Sequence, residues 1–455
     1  MLTFKRLLAG STAIALGTGF GIATSVFAQV ATPPTQSPVG GAPQPGGTGS
    51  PATTQDQAFV SQFRRDADVT VMARPREGYE ARGIRVGAFL VYPQLNVAPT
   101  YDDNIFATSS NTTSDTIWKV NPLVTVQSDW NRHSLGGYAS VTANEFQQRS
   151  SEDTTDYSLG ANGRIDVDHA TQVTGRVNYM RSTEPRTSAN SPTGALKPVR
   201  YDLLDFSAEG RHEFDRLLGT LHFDSQTFDY SNPPAASGGV IDETFRNRTI
   251  TTYGGRLDYA LSPKTALFVD LQGENHSYDH QSALDPINRD SKGVQALAGV
   301  DFEVTALMRG NIGFGYRKET FSDPAAKDLA GLSADASLEW FPTQLTTVTV
   351  AGSRTIQDSA VFGSPAYLSS NVTARVDHEL LRNVILTGQV GYGDDKYTGI
   401  VREDHRTSAG VGASYLINRT LGVSVNYNYN KQETVKGVGN DFKDNRVAAT
   451  LTVQY

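Results

Sequence analysis

The sequence predicts an all-β fold, a single closed antiparallel transmembrane β-barrel of about 18 strands with long extracellular loops and short periplasmic turns. Three observations predict it. From Ala88 to Tyr455 nearly every segment alternates apolar and polar residues with period two. Tight turns and longer polar loops alternate strictly between these segments. After the N-terminus no stretch approaches the roughly 18 apolar residues that a membrane helix needs.

Composition agrees. The 455 residues are 38% hydrophobic and 19% charged, with no cysteine, and mean hydropathy is -0.37. Without cysteine there is no disulfide-stapled fold, thiolate metal site, iron–sulfur cluster or Cys nucleophile. So polar a chain cannot be a helical membrane protein. A barrel resolves the low apolar fraction, because each strand needs one greasy stripe and there is no dry core.

Residues 1–28 read as a secretory signal peptide. Lys5 and Arg6 precede an apolar stretch, and Val26 and Ala28 supply the small residues before a cleavage site. Removing Lys5 and Arg6 leaves 38 basic against 48 acidic residues and takes the net charge from -8 to -10. Residues 29–56 are rich in Pro, Gly, Thr and Ser and predict a disordered periplasmic tether. Residues 57–86 form an N-terminal lead-in, with Phe59, Val60 and Phe63 near helical spacing. Residues 87–455 are the barrel.

In the first run Phe89, Val91, Leu95, Val97 and Tyr101 share one face, with Gln94, Asn96 and Thr100 on the other. In the second, Trp118, Val120, Val124, Val126 and Trp130 oppose Lys119, Asn121, Thr125, Gln127 and Asp129. Successive strand side chains point to opposite faces, so each run is a strand with one apolar side. Tight turns are predicted at 131–132, 168–170, 215–216, 262–264, 305–307, 342–343, 381–383 and 418–419. Long loops are predicted near 102–115, 147–155, 182–200, 231–247, 276–292, 320–330, 357–367, 394–405 and 431–443. In lipid every backbone group must be paired, so the sheet must close. A soluble propeller or sandwich would bury both faces of many strands and would not sort its turns by length.

Aromatics end the apolar stripes at Trp118, Trp130, Tyr157, Tyr179, Phe214, Tyr253, Trp340, Tyr415 and Tyr429, the positions of interfacial girdles. The last run carries Leu451, Val453 and Tyr455 in alternation, a pattern similar to the signal read by barrel assembly machinery.

Function must come from the inward face. Near the short turns it carries Arg164, Asp166, Glu209, Arg211, Glu213, Arg256, Asp258, Asp301, Glu303, Asp335, Glu339, Arg375, Asp377 and Glu379. This predicts a carboxylate-rich ring at the periplasmic mouth. It either braces the wall through cross-strand pairs or biases which solutes enter. Higher up lie amides, hydroxyls and the aromatics Tyr138, Phe146, Phe228, Phe268 and Tyr278, which suit sugars and an aqueous lumen equally. No catalytic constellation is legible: His222 with Asp224 reads as a solvated lumen pair, and His276, His280 and His405 fall in or beside loops. Asp102, Asp103 and Asn104 could hold a cation, but a polar turn is the plainer reading. No metal, cofactor or nucleic-acid motif is present.

The lead-in and first hairpin carry a more specific signal. Val71-Met72-Ala73-Arg74-Pro75-Arg76, Tyr79, Gly83-Ile84-Arg85-Val86-Gly87-Ala88-Phe89, Pro93, Tyr101-Asp102-Asp103-Asn104-Ile105-Phe106, Trp118 and Pro122 resemble the family called putative β-barrel porin 2 of Gram-negative bacteria. The resemblance covers roughly residues 68–455, and beyond the first hairpin it is strand alternation alone. It implies an outer-membrane location and no catalytic residues. Several relatives are associated with exopolysaccharide secretion. Three functions are therefore expected in order: an exopolysaccharide conduit working with periplasmic export components, a diffusion porin for small hydrophilic solutes with mild cation preference, and a non-conducting adhesin or scaffold.

Overall fold

In the computed structural model, residues 69–455 are described, apart from 283, 284, 286 and 306. The signal peptide, the tether and the lead-in before residue 69, with Phe59, Val60 and Phe63, lie outside the described residues.

A short strand, β1 (Ile84–Val86), precedes eighteen long ones. They are β2 (Phe89–Asp102), β3 (Asp115–Ser128), β4 (Ser134–Phe146), β5 (Thr154–Asp166), β6 (Thr171–Thr183) and β7 (Arg200–Phe214). Then come β8 (Leu217–Tyr230), β9 (Arg248–Ser262), β10 (Thr265–Tyr278), β11 (Ser291–Thr305), β12 (Met308–Phe321) and β13 (Leu329–Thr343). The last six are β14 (Thr346–Asp358), β15 (Ala366–Leu381), β16 (Val384–Tyr397), β17 (Glu403–Leu416), β18 (Leu421–Lys436) and β19 (Phe442–Gln454). Each of the eighteen pairs antiparallel with its sequence neighbours, and β19 pairs with β2 to close the barrel. No sheet edge is left for lipid to meet.

Closure runs from Arg446 opposite Asp102 to Gln454 opposite Gln94, and skips Ala449 and Thr450. Pro99 sits beside this gap while keeping its place opposite Trp118 on β3. Proline has no N–H for a ladder, so the pairing breaks where it stands. On the outside, Leu221, Leu271, Phe314, Leu332, Val390 and Val411 are among many exposed apolar side chains. Inside, most buried side chains are polar or charged. Against a soluble protein this is inside-out, as a wall between lipid and water requires.

Eight connections of two to five residues alternate with nine of five to seventeen. Two details differ from what the sequence predicts. The turn between β13 and β14 is Gln344–Leu345, because β13 runs through Pro342 to Thr343 over a register shift. The loops after β16 and β18 shrink to 398–402 and 437–441, because the strands continue through charged outward residues. Outward ion pairs such as Lys396–Asp394 and Lys436–Glu403 hold these polar extensions.

Candidate functional site

The lumen holds two tiers of charge. The tier at the short-turn end contains the predicted ring, and its members pair. Arg164 meets Asp166 at 3.2 Å, and Gln172 donates to Asp166 at 2.8 Å. Arg256 bridges Asp258 (2.7 Å) and Asp301 (2.6 Å), and its guanidinium lies 3.8 Å from the centre of the Phe268 ring. Phe268 lies flat on the wall because Gly299 and Gly313 make room: a Cβ there would come within 2.5 and 3.0 Å of the ring. Arg375 meets Asp377 at 2.8 Å, and Thr387 donates to Asp377 at 2.7 Å. Glu209, Arg211 and Glu213 face the lumen on β7, and Asp335 does so on β13.

Sequence reasoning missed cations that complete this tier. Lys264 pairs with Glu303 at 2.7 Å, Arg309 pairs with Glu339 at 2.5 Å, and Arg74 and Arg76 both reach Glu379, at 3.2 and 3.3 Å. The predicted ring had ten carboxylates against four arginines; adding these four cations makes it ten against eight. The mouth is thus less acidic than the inward parity alone predicts.

Arg74 and Arg76 belong to the lead-in, which lies inside the short-turn mouth. Val71 donates its N–H to Thr347 at 2.9 Å, and Val71 and Met72 pack on Ile385. Arg74 also donates to the Gln344 carbonyl. Tyr79 packs on Leu416, and Gln454 donates to the Tyr79 carbonyl at 3.5 Å. The segment then turns through Gly83, whose positive φ of 70° sets it over the Tyr92 ring, and pairs through β1 with β2. Residues 71–86 therefore trace an arc from β14 past β16, β17 and β19 to β2. Burial draws the Arg76 guanidinium below its ordinary range, with Glu379 pulling the other way. The sequence does not name the partners of this docking: its anchors are up to 375 residues away.

The tier at the long-loop end is more deeply buried. Asp358 on β14 forms an ion pair with Arg248 on β9 at 2.8 Å and contacts His276 Nδ1 on β10 at 3.0 Å. His276 Nε2 lies 2.9 Å from Glu274, which also accepts from Arg317 on β12. Arg317 continues to Thr355 on β14 at 3.3 Å. These charged side chains are only 2–7% exposed. The chain of contacts ties β9, β10 and β12 to β14 and crosses the lumen instead of following its wall. His276 was expected beside a loop; the structure places it at the centre of this bridge. Its inward parity was legible, but not which strands face one another across the barrel.

Aromatics and loops seal this tier. Arg248 lies over Phe228 (4.4 Å), and Arg246 over Tyr230 (4.1 Å). Arg246 pairs twice with Glu184 at 2.9 Å and with Glu243 at 2.8 Å, joining two loops. Burial raises the Glu243 carboxyl above its usual range against the pull of Arg246. Val199, Tyr201, Leu203, Phe228, Tyr230 and Ile250 form a small apolar cluster under these loops. Phe228 is therefore a packing residue here, not an open sugar platform. Loop residue Ala360 donates to Asn190 at 3.0 Å, and Gly363 to Asp285 at 3.0 Å, so loops from opposite sides of the barrel meet.

The rest of the wall mixes neutral polar side chains with further charges, among them Lys119, Asp205 and the buried pair Arg406–Asp395 at 2.7 Å. Asn96, Asn121, Thr142 and Thr452 form one hydrogen-bonded chain over β19, β2, β3 and β4. Asn371, Asn426 and Asn428 are also buried inward. Asp102, Asp103 and Asp444 lie together at the barrel seam, but Arg446 meets Asp102 and Asp444 at 2.9 and 2.8 Å and supplies the positive charge. His222 faces inward over Gly254, and Asp224 is buried two residues on. The girdle residues Trp118, Trp130, Phe214, Tyr253, Trp340 and Tyr415 are exposed on the outside. Tyr157 and Tyr179 pack together there, and Tyr429 shares the outward face of β18 with Tyr427. Leu451 and Tyr455 are exposed as well, and Val453 shares their face.

The family model described as "Putative beta-barrel porin 2" matches residues 76–455. The chain belongs to that family, and it is an outer-membrane β-barrel porin. No curated protein matches it. Solved structures with a similar course include the outer membrane protein OprD from Pseudomonas aeruginosa, at 11% identity, covering 87% of this chain and 97% of that one, TM-score 0.42. OccK3 (OpdO) from the same species is 16% identical, covers 80% and 96%, TM-score 0.44. OccAB3 from Acinetobacter baumannii is 11% identical, covers 81% and 100%, TM-score 0.43.

Proposed function

We propose that this member of the β-barrel porin 2 family is an exit channel for an exopolysaccharide, held narrow at rest and opened by a periplasmic export component that draws the lead-in out of the short-turn mouth. One observation carries the reading: the lead-in is seated inside that mouth, where Arg74 and Arg76 hold Glu379. With short turns periplasmic, as in barrels of this class, the lead-in and the tether before it are within reach of partners on that side. A conduit for a polymer must open wide in use and stay closed otherwise, or the membrane leaks. A docked segment of the chain meets that need, whereas a diffusion porin has no use for one. The Asn, Ser and Thr side chains of the wall offer donors and acceptors that sugar hydroxyls can exchange with water.

Deleting the gene tests this reading. Loss of surface polysaccharide while the lipid-linked precursor is still made supports it, and normal secretion overturns it in favour of the diffusion porin. In that second reading the carboxylates of the ring give mild cation preference.

A further inference from the structure

The two basic residue types are sorted by face. Among the described residues seven lysines lie on strands, and six of them face outward: Lys292 on β11, Lys318 on β12, Lys396 on β16, Lys431 and Lys436 on β18, and Lys443 on β19. All six lie within six residues of the long-loop end of their strands. At the short-turn end no strand lysine faces outward. Inside, the partners of the lumen carboxylates are almost all arginines.

Four of the six cluster on β16, β18 and β19. Lys431 and Lys443 are direct cross-strand partners. Like charges placed opposite one another destabilise a sheet unless something anionic lies between them. Lys443 makes no ion pair among the described residues, and Lys431 uses one of its donors on Glu433. Lys396 and Lys436 share Glu403 and remain half exposed. An ammonium has three donors, so each of these lysines keeps donors free. Directly below them along the strands stand the outward aromatics Tyr392, Tyr427 and Tyr429. Aromatic rings mark the level of lipid headgroups, and lysine stems reach past them to place the charge just above.

We infer that this ledge binds phosphate groups on the headgroups of lipids in the outer leaflet. Lysine suits that partner: its compact charge on a flexible stem follows a mobile phosphate, whereas the planar fork of arginine suits the fixed carboxylates of the lumen. The inference depends on the barrel's orientation but not on what passes through the lumen.

The test is retention of a bisphosphorylated glycolipid by the purified full chain in detergent, read by native mass spectrometry, against the same lipid after enzymatic dephosphorylation. The phosphorylated form should be retained and the dephosphorylated form lost. The double variant Lys431→Gln/Lys443→Gln should bind about thirtyfold more weakly, since each lysine near an anionic headgroup contributes roughly fivefold. Lys431→Arg/Lys443→Arg should keep most of the binding, which separates loss of charge from loss of fold. Equal retention of both lipids, or unchanged binding in the Gln variant, overturns the proposal.

Discussion

The two charged tiers of the lumen use the same residue types in different ways. At the short-turn end some pairs stay partly open to water, with Arg309 and Glu339 30% and 22% exposed, while Asp258, Asp301, Asp377 and Glu379 are buried. At the long-loop end, Arg248, Asp358, His276, Glu274 and Arg317 are sealed by aromatics and loops and reach across the lumen. Exposure decides what each tier can do. Exposed pairs contribute little to stability and leave a polarised surface for passing ions. Sealed pairs are costly to break and fix the strands they join.

The largest effect should come from the sealed tier. Asp358→Asn leaves Arg248 and His276 without their shared partner, and removing one member of a buried ion pair costs about 3–5 kcal/mol. The folded barrel runs faster than the unfolded chain on a cold gel, so the temperature at which that fast band disappears should fall clearly. An unchanged temperature would show that water reaches this tier. An intermediate effect is expected at the lead-in. Glu379→Gln removes the carboxylate that holds both Arg74 and Arg76, so limited proteolysis should cut residues 69–83 faster while the barrel stays folded.

Smaller effects belong to the open tier. Reversing charge at Glu209, Asp301 and Glu339 together should shift the reversal potential in a salt gradient toward anions. An unchanged potential would mean that these residues only brace the wall. The smallest effect should be Glu303→Gln, whose partner Lys264 is half exposed. Pairs of that kind contribute about 0–1 kcal/mol, so the melting behaviour should not change measurably.

What was legible in the sequence follows the same division. Period-two alternation reports the face of each residue, and the fourteen ring residues lie on the parity opposite the exposed apolar stripes of their strands. The sorting of turn lengths reports topology, so strand number and closure could be read. Contacts between strands that are not neighbours leave no such trace. His276 touches Asp358 82 residues away, and nothing in either segment names the other. On β12 the wall has little room at Gly315, where a Cβ would meet the Ala296 carbonyl of β11. Such backbone packing is not encoded in one strand's pattern. The lead-in is hidden for the same reason, since its motif could be recognised but its docking place could not.

The central claim is that the lead-in narrows the short-turn mouth of the barrel. Single-channel recording in planar bilayers tests it most directly, comparing the full chain with a variant that lacks residues 69–83 and keeps its export signal. The full chain should show small, infrequent steps, and the deletion variant larger and longer ones. Equal conductance and open time in the two would contradict the claim.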